Sequence, residues 1–184
     1  MLSNRFVFAF AGSALLAAGA PAAAKNPMVG GAAMYPSRTI VENAVNSKDH
    51  TTLVAAVKAA GLVETLSGKG PFTVFAPTNA AFGKLPPGTV ETLVQPANKD
   101  TLTSILTYHV VPGKITAQQI AAKARANRGT ATYTTVNGGK LMFHAAKGGG
   151  WAVMDAKGNM ARITIANVMQ KNGVIHVIDT VLMP

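Results

Sequence analysis

"NGVIHVIDTVLMP" (172–184) sets a histidine inside a run of Val and Ile, and the reading of this stretch decides the fold. Along an extended strand, alternate side chains point to opposite faces. Val174, His176, Ile178 and Thr180 then share one face, and Ile175, Val177, Asp179 and Val181 share the other. Both faces are mainly apolar, so the strand is expected to be covered on each side. His176 and Asp179 diverge, which removes them as a catalytic pair. An unpartnered buried imidazole costs about 1–3 kcal/mol. His176 is therefore expected to be hydrogen-bonded within a core, in a structural role.

A second decisive stretch is "GPFTVFAPTNAAFGKLP" (70–86). Its alternation over Phe72–Ala76 predicts a short buried strand stopped by Pro77. Thr78 or Asn79 is placed to cap a one-turn helix that returns Phe82 to the strand. Around these two anchors the chain divides. "DHTTLVAAVKAAGL" (49–62) predicts a helix with Leu53, Val54, Val57 and Ala60 on one stripe, capped by Asp49 or Thr51 and ended at Gly61. "GTVETLV" (88–94), "KDTLTSILTYHV" (99–110) and "TAQQIAAKARAN" (116–127) predict three more helices, the last capped by Thr116. From residue 131 onward, short alternating runs are separated by the glycine-bearing turns "NGG", "KGGG" and "KGN", which signal hairpins. Helices first and strands after argue for an α+β sandwich or wedge, not alternating βαβ units.

The N-terminus reads differently. Arg5, the apolar run "FVFAFAGSALLAAGA" (6–20) and the small residues "PAAA" form the pattern of an export signal, residues 1–24, cleaved after Ala24 or Ala22. Residues 25–36, rich in Gly, Pro and Ala, predict a flexible leader, and 37–184 the folded domain. No second run long enough to span a bilayer follows. The expectation is an exported protein, extracellular or periplasmic, with no transmembrane segment after signal removal.

Lys and Arg number 17 against 7 Asp and Glu, a net charge of +10, or +9 once Arg5 leaves with the signal. Outside the cytoplasm that surplus suits anionic polymers, whether acidic polysaccharide, lipid head groups or extracellular nucleic acid, but the scattered bases read first as plain solubilising charge. Only Lys123, Arg125 and Arg128 cluster closely. Aromatic residues do not interleave with the bases, so a specific nucleic-acid site is not expected. Cysteine is absent, which excludes disulfides, a thiol nucleophile and thiolate metal sites.

Together the two anchor stretches resemble the two hallmark blocks of the fasciclin-like domain family, in the usual order. "LTYHVVPGKIT" (106–116) is similar to that family's central Tyr-His segment, and "TTVNGGKLMF" (134–143) to its hairpin. The resemblance implies a fasciclin-like β-sandwich or wedge with helices packed on one side. It also implies a mostly non-catalytic, cell-surface or matrix module for adhesion. By resemblance, Tyr108 and His109 match an adhesion motif. Asn167 and Val168 stand where animal adhesion members carry an Asp-Ile pair tied to integrin binding. The missing carboxylate argues against an integrin-type contact. Thr78, His176 and Asp179 carry structural expectations.

No catalytic constellation is found. No G-x-S-x-G occurs, and the seven acids are mostly isolated, at expected surface positions. His109, His144 and His176 lack the spacing of a zinc site, and no metal or other cofactor is expected. Cell-surface or matrix proteins, or anionic polysaccharide, are the expected partners. The alternative is a carrier of a small apolar ligand, carotenoid- or lipid-like. It would rest on Met142, Phe143, Trp151, Met154, Met160 and Met169, with Trp151 as the foremost exposed contact.

Overall fold

The computed structural model describes residues 26–184, so the export signal at 1–24 lies outside the described residues. Among the described residues there are nine strands: β1 (Met28–Val29), β2 (Ala32–Ala33), β3 (Phe72–Pro77), β4 (Val110–Pro112), β5 (Thr130–Thr134), β6 (Lys140–Ala145), β7 (Trp151–Met154), β8 (Met160–Gln170) and β9 (Gly173–Ile178). Seven α-helices accompany them there: α1 (Ile40–Ala44), α2 (Thr51–Ala60), α3 (Val63–Ser67), α4 (Asn79–Phe82), α5 (Thr89–Leu93), α6 (Lys99–Tyr108) and α7 (Ala117–Ala126).

Strands β3 to β9 form one sheet in the order β4-β3-β9-β8-β7-β6-β5. Every neighbouring pair is antiparallel except β3 with β9, which run parallel from Phe72↔Gly173 to Pro77↔Ile178. The two anchor stretches are thus central neighbours. The sheet wraps almost into a barrel. Just beyond β5, the Val136 amide donates to the carbonyl of Val110 in β4 (2.8 Å), tying the two edges.

Alternation in β3 and β9 builds two cores. Val74, Ala76, Ile175 and Val177 pack with Leu53, Val57, Leu102 and Ile105 of the helical layer. Phe75, Val174, His176 and Ile178 are buried on the opposite, interior side. There Phe75 and Ile178 join Phe143, Val153 and Leu141 of the hairpins, and Ile120 and Ala124 of α7 plug the interior. The α+β class and the helical layer follow the sequence reading, with α7 alone on the other side.

Two expectations are corrected. Residues 25–36 were expected to be a leader without order, yet β1 and β2 pair (Val29↔Ala32), and Val29 and Met34 are buried. The cause is distant. Asn43 of α1 accepts from the Tyr35 amide (3.1 Å) and donates to its carbonyl (2.8 Å), and the Lys48 amide donates to the Gly30 carbonyl (3.2 Å). Neither Asp49 nor Thr51 caps α2. Instead Asn79, from the start of α4, accepts from the Thr52 amide (3.0 Å) and donates to the Lys48 carbonyl (2.9 Å). Thr78 caps α4, accepting from the Ala81 amide (3.2 Å).

Candidate functional site

The polar groups that the sequence singles out converge on two buried networks. The first surrounds His176, which is fully buried on β9. Its Nε2 lies 2.8 Å from the carbonyl of Ile115, and its Nδ1 accepts from the Asn167 amide at 3.3 Å. One tautomer satisfies both, with the proton on Nε2. Asn167 sits in β8 with φ of 60°, the left-handed region that Asn tolerates better than most residues. The register of β8 against β9 shifts between Ile165 and Val168, so Asn167 occupies a bulge. From there its Oδ1 accepts from the Ala117 amide (2.8 Å) and its Nδ2 donates to Gln118 (3.2 Å). The bulge thereby satisfies an amide at the start of α7 that the helix cannot.

The second network surrounds His109, at the end of α6. Nδ1 donates to the Ile105 carbonyl (2.8 Å), and Nε2 accepts from the Leu182 amide (3.0 Å). Burial lowers its pKa to about 4, despite opposing contributions from the Ile105 carbonyl and Asp155. Tyr108, fully buried, donates to the Lys140 carbonyl (2.8 Å) and accepts from the Ala156 amide (2.8 Å). Its ring is the reason residue 139 is glycine, since a Cβ there would lie 2.5 Å from Tyr108 Cε2. Asp155 completes the region. It accepts from the amides of Lys157 (2.9 Å), Asn159 (2.8 Å) and Met183 (3.0 Å) and from the Asn159 side chain (2.9 Å).

Two expectations change on this geometry. Tyr108, His109 and Val168 are buried, so none has side-chain surface to offer an adhesion partner. They hold the fold from inside, and only Asn167 reaches partial exposure. Asp155 is no isolated surface acid but a buried, four-fold acceptor, signalled only by its place before "KGN". Asp179, in contrast, stays half-exposed. It accepts from the Arg162 amide (2.8 Å) and from Thr180 (3.0 Å), and faces Lys84 at 3.7 Å. His176 and Asp179 do not meet. Among the described residues, no group of three or more His, Asp or Glu is placed to hold a metal.

The apolar-carrier alternative finds little enclosed apolar room, since the wider clefts of about 310–350 Å³ beside Gly88 and Lys69 are open and lined by mixed polar and apolar groups. An apolar cavity of about 40 Å³ lies among Ile40, Leu53, Val57, Leu66, Val74 and Leu106, and another of about 30 Å³ beside Val29, Met34 and His50. Ligand sites usually enclose about 300–1,000 Å³. Neither cavity is lined by Met142, Trp151, Met154, Met160 or Met169. Trp151, expected as an exposed contact, is half-buried against the interior core.

The exterior is more distinctive. From Thr101 through Ile178 the chain carries nine Lys and Arg, from Lys114 to Lys171, and one acid, Asp155. All nine bases are exposed, whereas Asp155 is 1% exposed. The strand-rich half therefore presents a mainly positive surface, with half-exposed Asp179 beside Arg162 and Lys84 at its edge. Lys123 belongs to it, lying 4.0 Å over the ring of Tyr133.

The family model described as the fasciclin domain matches residues 48–184. This chain is a member of the fasciclin-domain family. It is 51% identical over 161 residues to protein sll1483 of Synechocystis sp., covering 87% of this chain and 81% of that relative. It is 35% identical over 198 residues to the immunogenic protein MPB70 of Mycobacterium bovis, covering 96% of this chain and 93% of that relative. It is 37% identical over 171 residues to the M. bovis cell surface glycolipoprotein MPB83, covering 88% of this chain and 68% of that relative. Among solved structures it is similar to a FAS1 domain pair from the insect cell adhesion molecule fasciclin I. The TM-score is 0.71 at 18% identity, over 80% of this chain and 51% of that one. The likeness shows the fold, and the fasciclin-domain chain spans about half of that neighbour.

Proposed function

We propose that this fasciclin-domain protein is an exported, non-enzymatic module for adhesion or extracellular-matrix attachment, working at the cell surface or in the periplasm. Its partner is an anionic surface polymer, acidic polysaccharide first, gripped by the basic strand-rich half. The observation that carries this reading is the charge segregation: nine exposed bases and no exposed acid between Thr101 and Ile178. Membership of a family with a cell surface glycolipoprotein supports the location. The buried state of Tyr108, His109 and Val168 supports a contact made by charged side chains of the outer skin in place of the animal-type motifs.

Retention on a carboxylated or sulfated polysaccharide, set against a neutral one, tests the proposal. Retention should fall as salt is raised, because screening shortens the reach of exposed charge. A Lys123→Gln, Arg125→Gln, Arg128→Gln variant should elute earlier than the unaltered protein. Equal retention on the neutral polymer, or no salt dependence, would remove the reading.

A further inference from the structure

The outer face of the hairpin sheet carries a row of thioethers that the interior does not need. In the paired strands Met142 of β6 stands opposite Met154 of β7, and Met154 stands opposite Met160 of β8. Their strand neighbours Leu141, Phe143, Val153 and Ala161 are fully buried, which sends all three methionines to the solvent side. Met160 is 54% exposed, and Met142 and Met154 are half-buried. Beside them on that face, two residues after Met142, lies His144. Its Nδ1 is 3.3 Å from the Thr130 hydroxyl, while its Nε2 is buried and has no hydrogen-bond partner.

We propose that Met142, Met154, Met160 and His144 form a binding site for a soft monovalent cation, Cu(I) or Ag(I). Thioether sulfur selects such ions over zinc, calcium or magnesium, and imidazole is a compatible fourth ligand. The spacing also suits them. Adjacent strands lie about 4.8 Å apart. A metal–sulfur bond of about 2.3 Å, taken twice in line, separates two sulfurs by about 4.6 Å. Adjacent methionines in one row therefore bracket a two-coordinate ion, and the third methionine or His144 closes the site. The His144 nitrogen that lacks a partner gains one. The site holds no carboxylate, and exposed Lys140 and Arg162 lie on the same sheet face. That positive setting penalises a divalent ion more than a monovalent one.

The site also reverses the salt dependence expected for an anionic polymer. Screening relieves repulsion between the bases and the cation, so affinity for the ion should rise with ionic strength. The test is anaerobic Cu(I) competition against a chromophoric chelator, paired with Ag(I) titration followed by the methionine methyl signals in NMR. One equivalent should bind, with Met142, Met154 and Met160 methyls shifting and Met28 and Met169 methyls still. Met154→Leu keeps side-chain volume and should lower affinity at least tenfold, with an unchanged circular dichroism spectrum. Met160→Leu, at an exposed position, should do the same in weaker degree. Failure of the unaltered protein to compete, shifts spread over all methionines, or undiminished affinity in both variants would overturn the proposal.

Discussion

The backbone amide of Asn167 donates to Nδ1 of His176 across the bulge between β8 and β9, at 3.3 Å. That single bond joins the two residues on which opposite functional readings were placed. His176 was expected to be structural and Asn167 to sit at an adhesion position, and they serve one task. Through Nε2 to Ile115 and through the Asn167 side chain to Ala117 and Gln118, they fasten the start of α7 to the sheet.

Asn167→Ala should therefore destabilise by about 2 kcal/mol, from the lost acceptor for the Ala117 amide and from replacing Asn, which tolerates positive φ, by Ala, which does so less well. Asn167→Asp keeps the acceptor and sets a negative charge at the start of α7, which favours it. Its denaturation midpoint should stay close to that of the unaltered protein. A loss in Asp as large as in Ala would show that Asn167 does not act through the Ala117 amide.

Stability should fall as pH is lowered from 7 towards 4. The folded pKa of His109 is about 4 against an ordinary value of 6.5, so in that window the unfolded chain binds a proton that the folded chain refuses. Stability is complete above the unfolded value and is lost progressively below it, by roughly 3 kcal/mol for a shift of this size. His50 and His176 are lowered too, chiefly by burial, and steepen the loss. Urea midpoints across this range would show it, and His109→Gln should flatten the slope. An unchanged slope in that variant would assign the acid loss elsewhere.

Asp155→Ala should cost about 1–3 kcal/mol, since the Lys157, Asn159 and Met183 amides lose their acceptor. Hydrogen exchange should quicken at Met183 as well as in the β7–β8 turn. Faster exchange in the turn alone would mean that the C-terminal segment does not depend on Asp155.

Gly173→Ala should prevent folding or cost more than about 4 kcal/mol. The added Cβ would collide with the Phe72 carbonyl, where β3 and β9 run in parallel register. Loss of the cooperative thermal transition is the measurement, and a near-normal transition would contradict the register.

The sequence by itself determined whatever rests on local periodicity. Alternation in "GPFTVFAPTNAAFGKLP" and "NGVIHVIDTVLMP", turn glycines and the Thr78 and Thr116 caps identified most of the strands and helices, though not α1, α3, β1 or β2, together with the α+β class and the buried, hydrogen-bonded state of His176. Those signals act within a few residues, so they survive without coordinates. Only the tertiary structure decided whatever depends on partners far along the chain. Asn43 orders residues 28–35, Asn79 caps α2, Asp155 holds Met183, and cross-strand register aligns Met142, Met154 and Met160. A polar or thioether side chain has no period to announce its use. Its role is fixed by which distant amide, carbonyl or neighbouring strand the fold brings within reach, and that choice is made only when the sheet closes.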